Sequence, residues 1–227
     1  LIKVPATSAG REAIEELIAN GISVNVTLMF SLAHVDSVAE AYLRGLNRLM
    51  AAGGDLSRVR SVASLFLSRV DTHVDALLDA LGGDALALRG KTAVAMAHLA
   101  YARYQALFHG DENRAYRLLE PKGANRQPLL WASTGTKNPA YSDLLYVEPI
   151  IGPETVNTLP DATLAILRTH GEVRAMLADV AHVDAAREHY QALKDLGIDL
   201  TAVGERLQAE GLVLFEQSFA ALLDLTR

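Results

Sequence analysis

The sequence contains no cysteine, and this absence excludes disulfides, thiolate metal sites and cysteine nucleophiles. It also lacks any run of about 18 uninterrupted apolar residues, so we expect no membrane span, and no basic segment precedes an apolar one as in a secretory signal. The net charge of −6 argues against nucleic acid or an anionic membrane as a general partner. The seven histidines follow no metal-ligand spacing such as HExxH, so we expect no metal site. We therefore expect a soluble, cytoplasmic protein, in which a local basic pocket could still hold a phosphate.

What the sequence does contain is enough apolar material for one sizeable core. Half of its 227 residues are hydrophobic, and it has no low-complexity segment, so we predict a single domain over residues 1–227. The first residue is not methionine and the chain opens in mid-strand, which leads us to expect that it is part of a longer protein.

Lys3 is the residue at the start of the chain that most needs an explanation. It lies between Ile2 and Val4 in an apolar run typical of a buried strand. Burial removes water from an ammonium group and lowers the pKa of a lysine, which would make Lys3 an amine nucleophile able to form a Schiff base with a carbonyl. The alternative is an ordinary lysine near a chain end, whose amine reaches water.

Strand and helix patterns alternate along most of the chain, which predicts an α/β fold with a parallel sheet. Two amphipathic helices without a strand between them then follow near the end, and they either flank the sheet or form a contact between two copies. The predicted strands are the opening run and residues 22–29, 59–70, 129–132 and 144–151. The predicted helices are residues 9–20, 31–50, 71–81, 92–108, 111–119, 161–170, 180–196 and 200–225.

Three of these segments carry polar residues where a predicted strand ends. In the second strand Asn25 and Thr27 share a face, where they either line an active site or are satisfied polar groups of the core. Arg69 ends the third strand as either an anion ligand or the partner of a nearby aspartate. Ser133 to Lys137 form a polar turn that either binds phosphate or is an ordinary loop, and it lacks the GxxxxGK[ST] spacing of a P-loop.

Two stretches resemble a known family. Lys3-Val-Pro-Ala-Thr-Ser-Ala-Gly10 resembles the Schiff-base lysine signature of transaldolases, and residues 21–31 resemble the strand that follows it, although Arg11 departs from the usual aliphatic residue. The similarity is greatest to the longer bacterial members. It implies a (β/α)8 barrel, represented here by about strands 4 to 8 with extra C-terminal helices.

The resemblance also implies an activity. Transaldolases transfer a dihydroxyacetone unit from a ketose phosphate, fructose 6-phosphate or sedoheptulose 7-phosphate, to an aldose phosphate in the pentose phosphate pathway, with no metal or organic cofactor. Lys3 is then expected to form the Schiff base and Thr27 to hold the catalytic water. The expected substrate contacts are Asn25, Ser64, Arg69, Ser133 and Lys137.

The same resemblance indicates what the chain lacks. Family members carry an acid/base aspartate, an asparagine and a glutamate on strands one to three, and this sequence has no counterpart of them. Carbon–carbon cleavage needs a proton acceptor, so we expect weak or no activity from this chain alone. Two alternatives are a Schiff-base aldolase of the fructose 6-phosphate aldolase type, whose members lack the inserts around residues 71–124, and a non-catalytic barrel fragment. A homodimer is also left open.

Overall fold

The computed structural model describes residues 1–110, 113–177 and 179–225. Its sheet has five parallel strands in the order in which they occur along the chain. Parallel neighbours need long crossover connections, and helices supply them here. The strands are β1 (Ile2–Pro5), β2 (Val24–Met29), β3 (Ser61–Phe66), β4 (Leu129–Ala132) and β5 (Thr155–Asn157).

The helices begin and end close to the predicted positions, because capping residues such as Thr7 and Ser31 can be recognised in the sequence. The Thr7 hydroxyl accepts a hydrogen bond from the Gly10 amide, and the Ser31 hydroxyl accepts one from the His34 amide. Asp111 and Glu112, which the prediction included in the fifth helix, lie outside the described residues. The helices are α1 (Ser8–Ala19), α2 (Leu32–Ala51), α3 (Ser68–Leu81), α4 (Thr92–Phe108), α5 (Arg114–Leu119), α6 (Asp161–His170), α7 (Val180–Asp195) and α8 (Leu200–Leu225).

This architecture confirms the predicted α/β fold with a parallel sheet. Sequential strand order is also the order of strands in a (β/α)8 barrel, so the sheet is consistent with that fold. No helix in the described part of the chain has both the length and the apolar character needed to cross a membrane.

Two predicted strands were partly or wholly wrong. The strand predicted over residues 59–70 ends at Phe66, and Arg69 lies in the first turn of α3 rather than on a strand. Residues 144–151 form turns and a 3-10 helix over Glu148–Ile150, and the fifth strand comes later. The segment contains Pro149, which has no amide hydrogen to donate to a neighbouring strand. The apolar side chains of the segment are buried all the same, although its backbone forms turns.

The alternation predicted for the second strand holds only in its first half. Val24 and Val26 are fully buried on the helix side, but Leu28 has a φ of +56° and the pairing with β3 shifts between Val26 and Met29. The Leu28 carbonyl accepts a hydrogen bond of 3.0 Å from the Gln208 side chain of α8. A bulge therefore ends the regular strand at the point where α8 packs on it.

The main core lies between the sheet and the helices on one of its faces. Ala63, Leu65 and Trp131 are buried there, and the Trp131 indole donates a hydrogen bond of 3.1 Å to the Ile150 carbonyl. The opposite face carries Lys3 and Asn25 and is only partly covered. The face that carries Lys3 and Asn25 is therefore the more accessible one for polar chemistry.

Helices α1 and α2 cross at Gly45, where the close approach leaves no room for a side chain. A Cβ atom there would lie 2.7 Å from Ile18 Cβ and 2.8 Å from the Glu15 carbonyl oxygen. We predict that Gly45→Ala lowers the free energy of unfolding by about 1–3 kcal/mol through overpacking, although alanine gains about 1 kcal/mol in helix propensity. Urea unfolding would measure this. Glu40→Ala, on the exposed side of α2, is the control, and a more stable Gly45→Ala variant would contradict the prediction.

The two terminal helices are confirmed, with no strand between them. Helix α7 packs on α4, and the first half of α8 packs on β2 and α3. The second half of α8 exposes large apolar side chains, so a contact with another copy of the chain stays a prediction. The exposed side chains are Val213, Leu214, Phe215, Phe219, Leu222, Leu223 and Leu225.

Candidate active site

The strand register brings three of the predicted site residues onto one face of the sheet. Lys3 of β1 pairs with Asn25 of β2, and register partners on neighbouring parallel strands project to the same side. The Ser64 hydroxyl of β3 donates a hydrogen bond of 2.8 Å to the Asn25 side-chain oxygen. An amine, an amide and a hydroxyl thus lie on three adjacent strands, where a small polar molecule could contact all three.

The predicted burial of Lys3 is wrong. Lys3 is exposed, and the neighbouring Leu1 and Ile2 are 65% and 55% exposed. The cause is the position of β1 at the edge of the sheet, where β2 is its one strand neighbour in the described part of the chain. The structure therefore does not supply the desolvation on which the sequence argument relied.

Thr27 lies on the same face, two residues beyond Asn25. It is only 3% exposed, and its hydroxyl oxygen is buried without a hydrogen-bond partner among the described protein atoms. Buried hydroxyl groups nearly always have a partner, so this one is suited to bind a water molecule or a substrate hydroxyl. Asn25 is half-buried beside it.

Arg69 lies at the start of α3, next to the carboxyl end of β3. Its guanidinium stands 5.6 Å from the centre of the Phe66 ring, which fixes the side chain by a cation–π contact. The salt bridge to an aspartate that the sequence left open does not form among the described residues, because Asp71 and Asp75 bind other groups. Arg69 is half-buried, which suits an anion ligand.

Ser133 begins the loop after β4 and contacts the same helix end. Its hydroxyl lies 2.8 Å from that of Ser68, and its carbonyl accepts a hydrogen bond of 3.0 Å from the Ser68 amide. Ser133 has a φ of +56°, a backbone conformation uncommon for residues other than glycine. The structure therefore brings Ser133 close to the helix that carries Arg69. Lys137 is exposed further along the loop.

Sequence reasoning assigned no site role to Ser68 and did not predict the burial of the Asp71 carboxyl. Ser68 is next to Arg69 in sequence, so its place at a helix start could have identified it. Asp71 is 1% exposed and accepts hydrogen bonds from the Ala93 amide and the Tyr146 hydroxyl. Burial raises the pKa of Asp71 to about 6, and these two hydrogen bonds oppose the rise. No local pattern in the sequence indicates this burial.

The site has no metal-binding character in the part of the chain that the structure describes. No group of three or more histidine, aspartate or glutamate side chains is placed there to hold a metal ion. The polar groups on β1, β2 and β3 are instead an amine, an amide and hydroxyls, and a guanidinium lies at the start of α3. Such a set can bind a phosphorylated polyol and offers one nucleophilic amine.

Comparison with known proteins shows the family of the chain. The family model for Transaldolase/Fructose-6-phosphate aldolase matches residues 1–226. The chain is 54% identical to a transaldolase of Thiobacillus denitrificans over 98% of this chain and 61% of that protein. It is 50% identical to one of Mycolicibacterium smegmatis over 100% of this chain and 60% of that protein, and 47% identical to one of Neisseria gonorrhoeae over 98% and 60%.

The chain thus spans about 60% of the length of the curated relatives that it matches. The match nevertheless extends over nearly all of its own residues. On this evidence the chain belongs to the Transaldolase/Fructose-6-phosphate aldolase family.

Proposed function

We propose that this chain is the part of a transaldolase that contains the Schiff-base lysine, and that Lys3 is this lysine. One observation supports the proposal above all others. This chain belongs to the family, and in it Lys3 pairs in register with Asn25. Asn25 in turn accepts a hydrogen bond from Ser64 on the next strand. These are the side chains that the resemblance assigned to the amine and to two of its substrate contacts.

The proposed reaction begins when the neutral Lys3 amine attacks the ketone carbon of fructose 6-phosphate or sedoheptulose 7-phosphate. Loss of water gives an iminium ion at C2. As a base removes the proton of the C4 hydroxyl, the C3–C4 bond breaks and its electron pair forms the C2–C3 double bond of an enamine. An aldose phosphate leaves, and a dihydroxyacetone enamine stays on the lysine. The enamine then attacks the aldehyde of a second aldose phosphate, and water releases the new ketose phosphate.

The other site residues have distinct proposed roles in this reaction. Thr27, whose buried hydroxyl has no protein partner in the described part of the chain, holds the water, and Asn25 with Ser64 binds the dihydroxyacetone hydroxyls. Arg69, half-buried at the start of α3, binds the sugar phosphate. Ser133 and Lys137 add contacts from the loop after β4.

The exposure of Lys3 sets a condition on this proposal. We infer that the chain is part of one barrel domain, as strands 4 to 8, and that further strands pair with β1 and bury Lys3. The 60% coverage of the relatives supports this inference. The chain alone is then expected to form the imine slowly and to transfer little, because the proton acceptor is expected on the added strands.

A simple aldolase is the second candidate, because the matching family includes fructose-6-phosphate aldolases as well. The relatives compared above carry the name transaldolase, which favours transfer, and α4 and α5 occupy the region that the shorter aldolases lack. By the same similarity we propose the pentose phosphate pathway as the context and the cytoplasm as the location. A homodimer stays a prediction.

Borohydride reduction tests the proposal. The 227-residue chain is incubated with fructose 6-phosphate and reduced, and the adduct is located by peptide mass spectrometry. We expect the mass of a reduced dihydroxyacetone or hexose phosphate adduct on Lys3. Adduct spread evenly over the other lysines would contradict the assignment, and so would the absence of any adduct on Lys3 in a protein of the relatives' length. In a protein of the relatives' length, turnover that depends on erythrose 4-phosphate indicates transfer, and release of free aldehyde without it indicates the aldolase.

A further inference from the structure

Two hydrogen bonds, each between a tyrosine and an aspartate, hold the loop of residues 133–147 against α3. The Tyr146 hydroxyl donates a hydrogen bond of 2.9 Å to Asp71, and the Tyr141 hydroxyl donates one of 2.7 Å to Asp75. Asp71 and Asp75 are one helical turn apart and follow Ser68, which contacts Ser133. The loop therefore lies along one face of α3 over two turns.

Both aspartates also hold the start of α4, so each carboxylate joins three segments. The second oxygen of Asp71 accepts a hydrogen bond of 2.7 Å from the Ala93 amide. The second oxygen of Asp75 accepts one of 2.9 Å from the Gly90 amide. Gly90 has a φ of +67°, and a Cβ atom there would lie 2.8 Å from the Tyr141 ring. Tyr141 is thus held by its ring as well as by its hydroxyl.

Lys137 lies in a closed turn that contains Tyr141. The Thr136 hydroxyl donates a hydrogen bond of 2.9 Å to the Ser142 carbonyl, and the Tyr141 amide donates one of 3.1 Å to the Asn138 carbonyl. These bonds fix the backbone on both sides of Lys137. Because Asp75 fixes Tyr141, the position of the lysine depends on α3.

We propose that Asp75 and Tyr141 are positioning residues, which hold the loop so that Lys137 and Arg69 bind the same sugar phosphate. This inference rests on the proposed function, which assigns both cations to the phosphate. Arg69 is carried by α3 itself, and the pair of Asp75 with Tyr141 ties the loop of Lys137 to that helix. Burial and the Asp75 carboxylate raise the pKa of Tyr141 to about 12, so its hydroxyl stays a donor at neutral pH.

The test uses Tyr141→Phe, which removes the hydroxyl and keeps the ring on Gly90. Inorganic phosphate is titrated into the 227-residue chain and followed by amide chemical shifts. We expect Tyr141→Phe to weaken phosphate binding about 3- to 10-fold, which corresponds to the net free energy of a typical hydrogen bond. Tyr116→Phe is the matched control, since the buried Tyr116 hydroxyl donates to the Ala124 carbonyl at 3.0 Å and contacts neither α3 nor the loop. It should bind phosphate as the parent chain does.

Two further readouts separate positioning from a general loss of stability. Hydrogen exchange of amides 134–142 should become faster in Tyr141→Phe and stay unchanged in the control. The double variant Tyr141→Phe with Lys137→Ala should bind phosphate no more weakly than Lys137→Ala alone, because the tyrosine acts through the lysine.

The outcomes distinguish this inference from the function on which it rests. Unchanged phosphate binding or unchanged exchange in Tyr141→Phe would overturn the positioning role and leave the proposed function intact. Additive effects in the double variant would also overturn it. If phosphate shifts neither Arg69 nor Lys137 in the parent chain, the phosphate site of the proposed function fails, and the inference fails with it.

Discussion

Replacing Lys3 with methionine is expected to abolish the adduct that borohydride traps from fructose 6-phosphate. Methionine keeps an unbranched side chain of similar length on β1, so the pairing with β2 should survive. It removes the amine, and without an amine no imine can form and no reduced bond can follow. The expected effect is a complete loss, measured by the intact mass of the chain after reduction.

A matched lysine variant serves as the control for this experiment. Lys194→Met removes an exposed amine from α7, away from the strand face that carries Lys3, and should leave the adduct yield unchanged. An adduct of equal yield in Lys3→Met would show that another amine reacts, and the assignment of Lys3 would then be wrong. Thr27→Val should still permit the adduct, because the proposed role of Thr27 begins after the imine has formed.

Acid is expected to weaken the junctions of the terminal helices with the core, because three buried histidines lie there. The buried carboxyl of Asp71, whose pKa is raised to about 6, acts in the opposite sense over the same pH range, so the prediction concerns the histidine contribution alone. His189 of α7 lies 3.0 Å from the Thr92 hydroxyl of α4, and the His98 ring lies 5.2 Å from that of His182. His34 of α2 accepts a hydrogen bond of 3.1 Å from the Phe30 amide and lies 3.0 Å from Glu205 of α8. Protonation of that accepting nitrogen would break the bond to Phe30.

The pKa shifts set the direction and the pH range. Burial lowers the pKa of His34, His98 and His189, the last to about 4, from an ordinary value of 6.5. A positive charge on Lys91 contributes to the lowering at His189, and Asp75 opposes it. The unfolded chain binds protons on these groups below about pH 6.5, whereas the folded chain does not bind one at His189 until about pH 4. The free energy of unfolding therefore falls as the pH drops through this range, by about 3 kcal/mol for His189 alone.

The measurement is urea unfolding at a series of pH values between about 7 and 4, followed by circular dichroism. Carboxylates titrate over part of the same range, so the histidine contribution is taken as a difference between variants. His189→Gln should lose less stability between the two ends of the series than the parent chain does. His73→Gln, on α3 and outside the junction of α4 with α7, should follow the parent chain. Equal pH dependence in parent and His189→Gln would contradict the prediction.

Local sequence patterns determined the helices of this chain and much of its candidate site. The caps at Thr7 and Ser31 and the helical period of residues 92–108 depend on neighbours a few residues away, so they are visible without a structure. The alternation in β2 likewise placed Asn25 and Thr27 on one face. The resemblance around Lys3 added the chemistry, and the family match supports it.

Tertiary structure decided what depends on distant neighbours. The exposure of Lys3 follows from the edge position of β1, and the fifth strand forms at Thr155–Asn157, where the chain pairs with β4, rather than at residues 144–151. Both contacts of the loop with α3 are long-range. Tyr141 and Asp75 are 66 residues apart in the sequence, and Tyr146 and Asp71 are 75 residues apart. Hydrophobic pattern and capping act over a few residues, whereas burial, edge position and long-range hydrogen bonds exist only once the strands have paired. The sequence thus determined which groups this protein can use, and only the folded sheet decided which of them meet and which face water.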